Sequence, residues 1–222
     1  MKPLLDWLFT IPFLAAFGLV LVFFDPLQRV ARLFGQRPQE IMAGSLQTGL
    51  VWAFRICGTR IEVERSPEVR PWSSYVLISN HQSLFDIPIL GAILFSNFPK
   101  YVSKRELASW IPSISYNLRR GGNAIIDRKD RAQALAEIRA LGRRIAERNV
   151  SAVIYPEGTR SRRGELGAFT GFPAGLFPKV ASDATRPYSD EINASVSHQL
   201  AANVTTVPTG AGTVAAPERP FV

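Results

Sequence analysis

The chain has 222 residues, 46% of them hydrophobic, and 26 basic against 18 acidic side chains give it a formal charge of +8. That length suits one domain with a real core, and the apolar content excludes a disordered chain. The single cysteine excludes an internal disulfide or a cysteine zinc site, two distant histidines speak against a histidine metal site, and the charge asks for an anionic partner: nucleic acid, a phospholipid surface or a phosphorylated substrate.

From Trp7 to Phe24 the chain reads WLFTIPFLAAFGLVLVFF, eighteen residues without a charge. This is close to the ~20 residues a helix needs to cross a hydrocarbon core, and longer than the roughly 7–15 apolar residues of a signal peptide. No small-residue cleavage site precedes Asp25-Pro26. A buried core helix is the alternative that Pro12 leaves open, but a membrane-inserted helix is expected, and the anionic partner is then a phospholipid surface. Lys2 is the only basic residue before the run, whereas Arg29, Arg32 and Arg37 follow it. The positive-inside rule therefore puts the bulk of the protein in the cytoplasm, on the cell inner membrane or another cytoplasm-facing membrane. A second apolar stretch, LVWAFRICG at 50–58, is too short to span. With Arg55 beside Trp52 and Phe54 it reads equally well as an interfacial helix or an amphipathic core helix.

From about residue 72 to 160 strands and helices alternate. YVLIS (75–79), YVS (101–103), NAII (123–126) and VSAVIY (150–155) are short β-rich runs, and Ala134, Leu135, Ile138, Leu141 and Ile145 form one apolar helical stripe. The order predicts an α/β fold, a mainly parallel sheet flanked by helices, behind an N-terminal membrane-anchoring helical segment. The expected divisions are 1–58 for that segment, 59–169 for the α/β core and 170–222 for a tail. His81, Lys104, Arg128 and Glu157 each fall at or just past the C-terminal end of a predicted strand, the edge where open α/β sheets bind ligands.

His81 stands five residues before Asp86 in SNHQSLFDIP. Two readings are open: Asn80 caps a helix with His81 merely exposed, or the imidazole folds back one turn onto the carboxylate. In the second, Nδ1–H goes to Asp86 and Nε2 takes up a proton, the base and orienter of a triad without its nucleophile. No G-x-S-x-G elbow completes it, so the nucleophile belongs to the substrate. YPEGTRS (155–161) brings a glycine, backbone amides and Arg160 to one turn after a strand; with Arg128 and Lys104 on the same edge this points to an anion site.

These residues resemble the glycerolipid acyltransferases, typified by 1-acylglycerol-3-phosphate O-acyltransferase. NHQSLFD (80–86) is similar to the family's N-H-x4-D, SKRELASWIPSI (103–114) and GGNAIIDR (121–128) to its middle blocks, and YPEGTRS to its P-E-G-T-R-S block. Order and spacing agree over roughly residues 45–169. The resemblance implies transfer of a fatty acyl group from acyl-CoA or acyl-carrier protein to the free hydroxyl of lysophosphatidic acid or a related lysolipid, at the membrane and without metal or bound cofactor. His81 is implied as general base, Asp86 as its orienter, and Glu157, Gly158, Thr159 and Arg160 as acceptor-binding residues, with Arg128 serving the phosphate. Lys104 is added from its place at the cleft edge. Other acceptors stay open: another lysophospholipid, glycerol 3-phosphate or an aminolipid. A membrane-tethered module binding anionic lipid or nucleic acid uses the same charge but needs neither His81 nor Asp86, and no nucleic-acid partner is expected. A hydrolase lacks a candidate nucleophile.

After residue 169 the likeness stops. Residues 170–222 hold three basic and four acidic residues and no tryptophan, where the family continues to a V-P-V type of strand. NVTTVPTG (203–210) is a weak relic of it. A divergent end, a disordered extension and a shifted reading frame are all compatible with this composition.

Overall fold

A computed structural model describes residues 2–65, 67, 69–79, 81–155, 158, 160, 192–198 and 209–210 of the chain. The predicted apolar run lies in helix α1, Lys2–Leu33, whose Trp7–Leu33 part is long and apolar enough to cross a bilayer. One stripe of α1 turns inward: Phe13, Leu21 and Gln28 are buried, with Phe17 and Phe24 partly covered between them. Their spacing of three and four residues is that of one helix face. The remaining circumference leaves Leu8, Ile11, Leu14, Leu19, Val22 and Phe23 exposed.

Helix α2, Gln36–Ala53, runs back along α1, so that Leu46 and Leu50 meet Leu21 while Ala53 and Phe54 meet Phe13. The 50–58 stretch thus joins the last turn of α2 to a 3-10 turn, Phe54–Cys57. The two faces of this stretch differ. Leu50, Ala53 and Phe54 face the core, whereas Trp52 is exposed with the Arg55 guanidinium 3.9 Å over its ring.

Strand β1, Thr59–Arg65, follows. The sequence reading had no strand here. β1 pairs antiparallel with β6, Ile192–His198, from Thr59 opposite His198 to Arg65 opposite Ile192, and β6 pairs with β7, Thr209–Gly210. These two strands are the described part of the tail; the rest of 170–222, including most of NVTTVPTG, lies outside the described residues.

The predicted parallel layer is present as β2 (Val76–Ile78), β3 (Lys100–Lys104), β4 (Ala124–Ile126) and β5 (Ala152–Ile154), in the order β2-β5-β3-β4 with every pairing parallel. Helices α3 (Asp86–Ile93), α4 (Ile114–Arg120) and α5 (Arg131–Arg148) make the connections. The apolar stripe predicted for α5 packs on the sheet, with Leu141 and Ile145 against Ala124, Val102 and Ala152. Asp130 caps α5, its carboxylate accepting from the Gln133 N–H at 3.0 Å.

A buried charge cluster fastens the helical hairpin to the sheet. The Glu40 carboxylate, 1% exposed, takes Lys100 Nζ at 2.9 Å, an Arg148 Nη at 3.0 Å and an Arg37 Nη at 3.3 Å. Its partners come from β3, α5 and α2. Burial lowers the Lys100 ammonium to about 8 from its usual 10.5, although Glu40 pulls the other way.

Two outcomes follow from the cluster. Glu40→Gln leaves a buried ammonium without its anion and should cost roughly 3–5 kcal/mol of stability in urea unfolding. In the wild type the folded chain releases the Lys100 proton near pH 8 and the unfolded chain near 10.5. Across that window the unfolded state binds more protons, so this group's contribution to stability rises with pH, and Lys100→Met should flatten the rise.

Candidate active site

The C-terminal edge of the parallel sheet carries His81, Lys104 and Arg128, three of the residues singled out in the sequence. β2 and β5 are in register from Val76 opposite Ala152 to Ile78 opposite Ile154, and the Ser79 N–H extends the ladder to the Ile154 carbonyl at 3.0 Å. The chain segments leaving the two strands therefore emerge side by side. His81 follows β2 and Tyr155 follows β5, and their rings stack with centroids 4.3 Å apart and planes 26° from parallel.

Beyond His81 the chain forms a turn before α3 begins. The imidazole Nδ1 lies 2.9 Å from Asp86 Oδ2, and the same oxygen accepts the Gln82 N–H at 2.8 Å and the Ser83 N–H at 2.9 Å. Asp86 is the first residue of α3, where exposed helix amides favour a carboxylate. Three donors on one oxygen fix the carboxylate, and a carboxylate acceptor requires the proton on Nδ1. That tautomer leaves Nε2 as the unprotonated ring nitrogen. The imidazole is 16% exposed and the carboxylate 23%, enough for a ligand to reach them. Of the two sequence readings, the folded-back pair is the observed one. Asn80 lies outside the described residues, and α3 starts at Asp86, six positions later.

The turn is seated on the N-terminal hairpin. Phe85 lies between His81 and Asp86 in sequence, and its ring sits edge-on at 5.9 Å from Phe13, 6.1 Å from Phe17 and 4.8 Å from Phe54. Behind the stack, Tyr155 belongs to a buried cluster with Leu90, Leu94, Tyr101 and Val153. Burial pushes the Tyr155 phenol well above its usual range, with Tyr101 and Asp86 nearby adding to the shift. Its hydroxyl is buried and has no hydrogen-bond partner among the described residues.

The other end of the edge is basic. Lys104 closes β3 opposite Ile126, so it emerges beside the turn that carries Arg128. That turn is tied down by the Lys129 N–H to Asp127 at 3.0 Å and by an Arg105–Asp127 ion pair at 3.3 Å. From it Arg128 reaches past β3 and donates to the Gly158 carbonyl. Gly158 has φ +63°, a conformation that suits glycine. Lys104 and Arg160 are both exposed. The structure thus pairs His81 with Asp86 and Arg128 with Gly158; Glu157 and Thr159 lie outside the described residues. Tyr155 had no role in the sequence reading, where it was only the aromatic residue ahead of PEGTRS. Its position one residue past a strand was the available clue.

Residues 60–187 match the acyltransferase family model. The chain belongs to the acyltransferase family. Among curated members of this family, the 1-acyl-sn-glycerol-3-phosphate acyltransferase of Salmonella typhimurium is 33% identical over 115 residues, covering 51% of this chain and 46% of the relative. The human 1-acyl-sn-glycerol-3-phosphate acyltransferase beta is 35% identical over 115 residues, 50% of this chain and 40% of the relative. The chain therefore matches less than half the length of these acyltransferases. In fold it is similar to the crystal structure of the 1-acyl-sn-glycerophosphate (LPA) acyltransferase of Thermotoga maritima, with a TM-score of 0.62 and 23% identity over 80% of this chain and 70% of that one.

The unpartnered phenol offers a test of the stack. Tyr155→Phe keeps the ring beside His81 and removes a buried hydroxyl without a partner, so thermal unfolding should show the same stability or a gain of about 1 kcal/mol. Tyr155→Leu removes the ring and should lower the midpoint.

Proposed function

We propose that this chain is a membrane-associated acyltransferase that moves a fatty acyl group from acyl-CoA or acyl-carrier protein to the free hydroxyl of 1-acylglycerol 3-phosphate, forming phosphatidic acid. The observation that carries the reading is the His81–Asp86 pair, held at 2.9 Å on a carboxylate that two backbone amides also fix. Such a pair supplies a general base with a defined tautomer and no protein nucleophile. Nε2 of His81 takes the proton of the acceptor hydroxyl as its oxygen attacks the thioester carbonyl. Collapse of the tetrahedral intermediate breaks the C–S bond, and the imidazolium hands its proton to the departing thiolate. Asp86 stabilises the imidazolium in between. The thioester brings its own activation, so the reading calls for no metal and no resident cofactor.

The acceptor's phosphate is assigned to Arg128 and the turn after β5: Glu157, Gly158, Thr159 and Arg160, with Lys104 at the rim. A guanidinium already anchored to a carbonyl of that turn supports the grouping. The names of the similar acyltransferases support the acceptor class. Membrane attachment through α1 suits substrates and products that live in the bilayer. The inward stripe of α1 is occupied by α2 and by Phe85, which favours a helix half-sunk in one leaflet, its outer face in lipid, over one that leaves the protein to span. The site then faces the cytoplasmic side, in keeping with Arg29, Arg32 and Arg37 after the apolar run.

With labelled acyl-CoA and a panel of lysolipid acceptors, thin-layer analysis should show phosphatidic acid as the favoured product. His81→Ala should keep no more than a few per cent of wild-type turnover, since a general base contributes roughly 10²–10⁴. Asp86→Asn should lose much of the rate as well. Either variant retaining full turnover removes that residue from the proposed chemistry.

Arg160→Ala should raise KM for the phosphorylated acceptor roughly ten- to a hundredfold and leave the acyl-CoA KM near wild type. Equal effects on both substrates count against the assigned role. The intact protein should stay with membranes through high salt and alkaline wash, because its apolar face contacts hydrocarbon; release by salt alone returns α1 to an ordinary core helix.

A further inference from the structure

The segment joining β3 to α4 has two properties that rarely occur together. Trp110 is 99% exposed, the most exposed large apolar side chain among the described residues. It also has φ +69°, and Ser113 three residues later has φ +61°, a left-handed region that non-glycine residues seldom adopt. A mobile loop would relax out of that conformation. This one is held from several sides. The Ile111 N–H donates to Ser115 Oγ at 2.9 Å, and that hydroxyl donates to the Leu107 carbonyl at 3.1 Å. Ile111, the neighbour of Trp110, packs inward against the cluster of Leu21, Leu46 and Leu50. The fold thus holds backbone strain in a fixed turn that tucks a half-buried isoleucine inward and presents an indole outward.

The place where this turn is held gives its meaning. Ser113 grips α1 twice, its N–H on Asp25 Oδ1 and its hydroxyl on the Leu21 carbonyl, both at 2.6 Å. Leu21 to Asp25 is where the uncharged run of α1 ends. On one side stand the exposed Leu19, Val22 and Phe23. On the other stand the Asp25–Arg29 ion pair and the Arg29 guanidinium 4.7 Å over the Tyr116 ring of α4. Trp7 and Trp52, both exposed, stand towards the opposite end of the hairpin. Tryptophan flanking an apolar face where charges begin is the pattern of the bilayer interface, whose layer suits a ring that is apolar in body and polar at its N–H.

We propose that the turn at 105–113, with Trp110 at its tip, is a second membrane-contact element, seated in the headgroup layer of a phospholipid bilayer beside the end of the apolar run of α1. The proposal rests on the membrane-associated reading above. Because the turn begins where Lys104 closes β3, it ties the C-terminal edge of the sheet, and the residues gathered there, to the lipid surface.

The test uses the full chain with phosphatidylcholine–phosphatidylglycerol vesicles and subtracts the fluorescence of Trp110→Phe from that of the wild type, which isolates one of four tryptophans. The expected difference spectrum shifts to the blue on adding vesicles. It should be quenched by phospholipids brominated near the headgroup more than by those brominated at the chain end, and should become shielded from aqueous iodide. In parallel, Trp110→Lys should keep the wild-type melting temperature, since the side chain is almost fully exposed, yet turn over a vesicle-embedded acceptor several-fold more slowly than a short-chain, water-soluble one relative to wild type. A Trp110 component that stays red and open to iodide while the other tryptophans are quenched by brominated lipid overturns this inference and leaves the membrane reading intact. If the protein does not float with vesicles at all, the membrane reading fails and takes the inference with it.

Discussion

A single buried carboxylate holds the two halves of this protein together. Glu40 sits on the polar flank of α2, out of water, and is ion-paired to a lysine at the start of β3 and an arginine at the end of α5. An anion in that position is costly unless its partners are in place, so the hairpin has essentially one way to sit on the sheet. Arg37 adds to the same fixation: beyond its contact with Glu40 it donates to the Arg148 carbonyl at 3.0 Å and lies 4.1 Å over the Phe98 ring. The cluster lies at the end of the sheet where β3 begins. The chemistry-bearing residues lie where the strands end. One edge of the layer thus fixes the architecture, while the other carries the residues of the proposed site.

That division follows from parallel pairing. Parallel strands all point one way, so every strand end opens on the same edge, and residues remote in sequence meet there without long loops. His81 and Tyr155 are 74 positions apart and stack because Ile78 and Ile154 are paired in register. Arg128 reaches Gly158 across the intervening end of β3. The strand ends are brought together by main-chain hydrogen bonds, and side-chain contacts such as His81 on Asp86 and Arg128 on Gly158 then fix the turns that leave them.

Much of this was legible in the sequence because it depends on local pattern. The four parallel strands are short runs rich in Val, Ile and Tyr, and α5 has an unbroken apolar stripe between a capping aspartate and a closing asparagine. The His81–Asp86 contact was accessible for the same reason, since five residues close into one turn. What escaped notice depends on partners far along the chain. TRIEVER alternates charged and apolar residues with the period of a strand, a signal the sequence reading passed over, but it is exposed for much of its length and pairs with residues some 130 positions later. Helix α2 defeats hydropathy in the opposite way, because Gln39, Glu40 and Gln47 are buried polar residues whose partners come from other elements. Tyr155 was read as motif scenery because stacking is a property of two strand ends, not of one.

The ring of Phe85 changes what the N-terminal helix is. A tether can usually be exchanged for any other apolar segment of the right length, since its only requirement is solubility in lipid. Here the tether supplies Phe13 and Phe17 as the floor on which the His81–Asp86 turn rests. On the proposed membrane-associated reading the same helix is thus read twice, by lipid on its outer side for composition and by the turn on its inner side for shape. Substitutions on the outer side are constrained only to stay greasy, whereas those on the inner side must preserve the fit of three aromatic rings. Within one helix, neighbouring positions therefore live under different rules, and grafting a foreign anchor onto this domain replaces part of the wall behind its reactive pair.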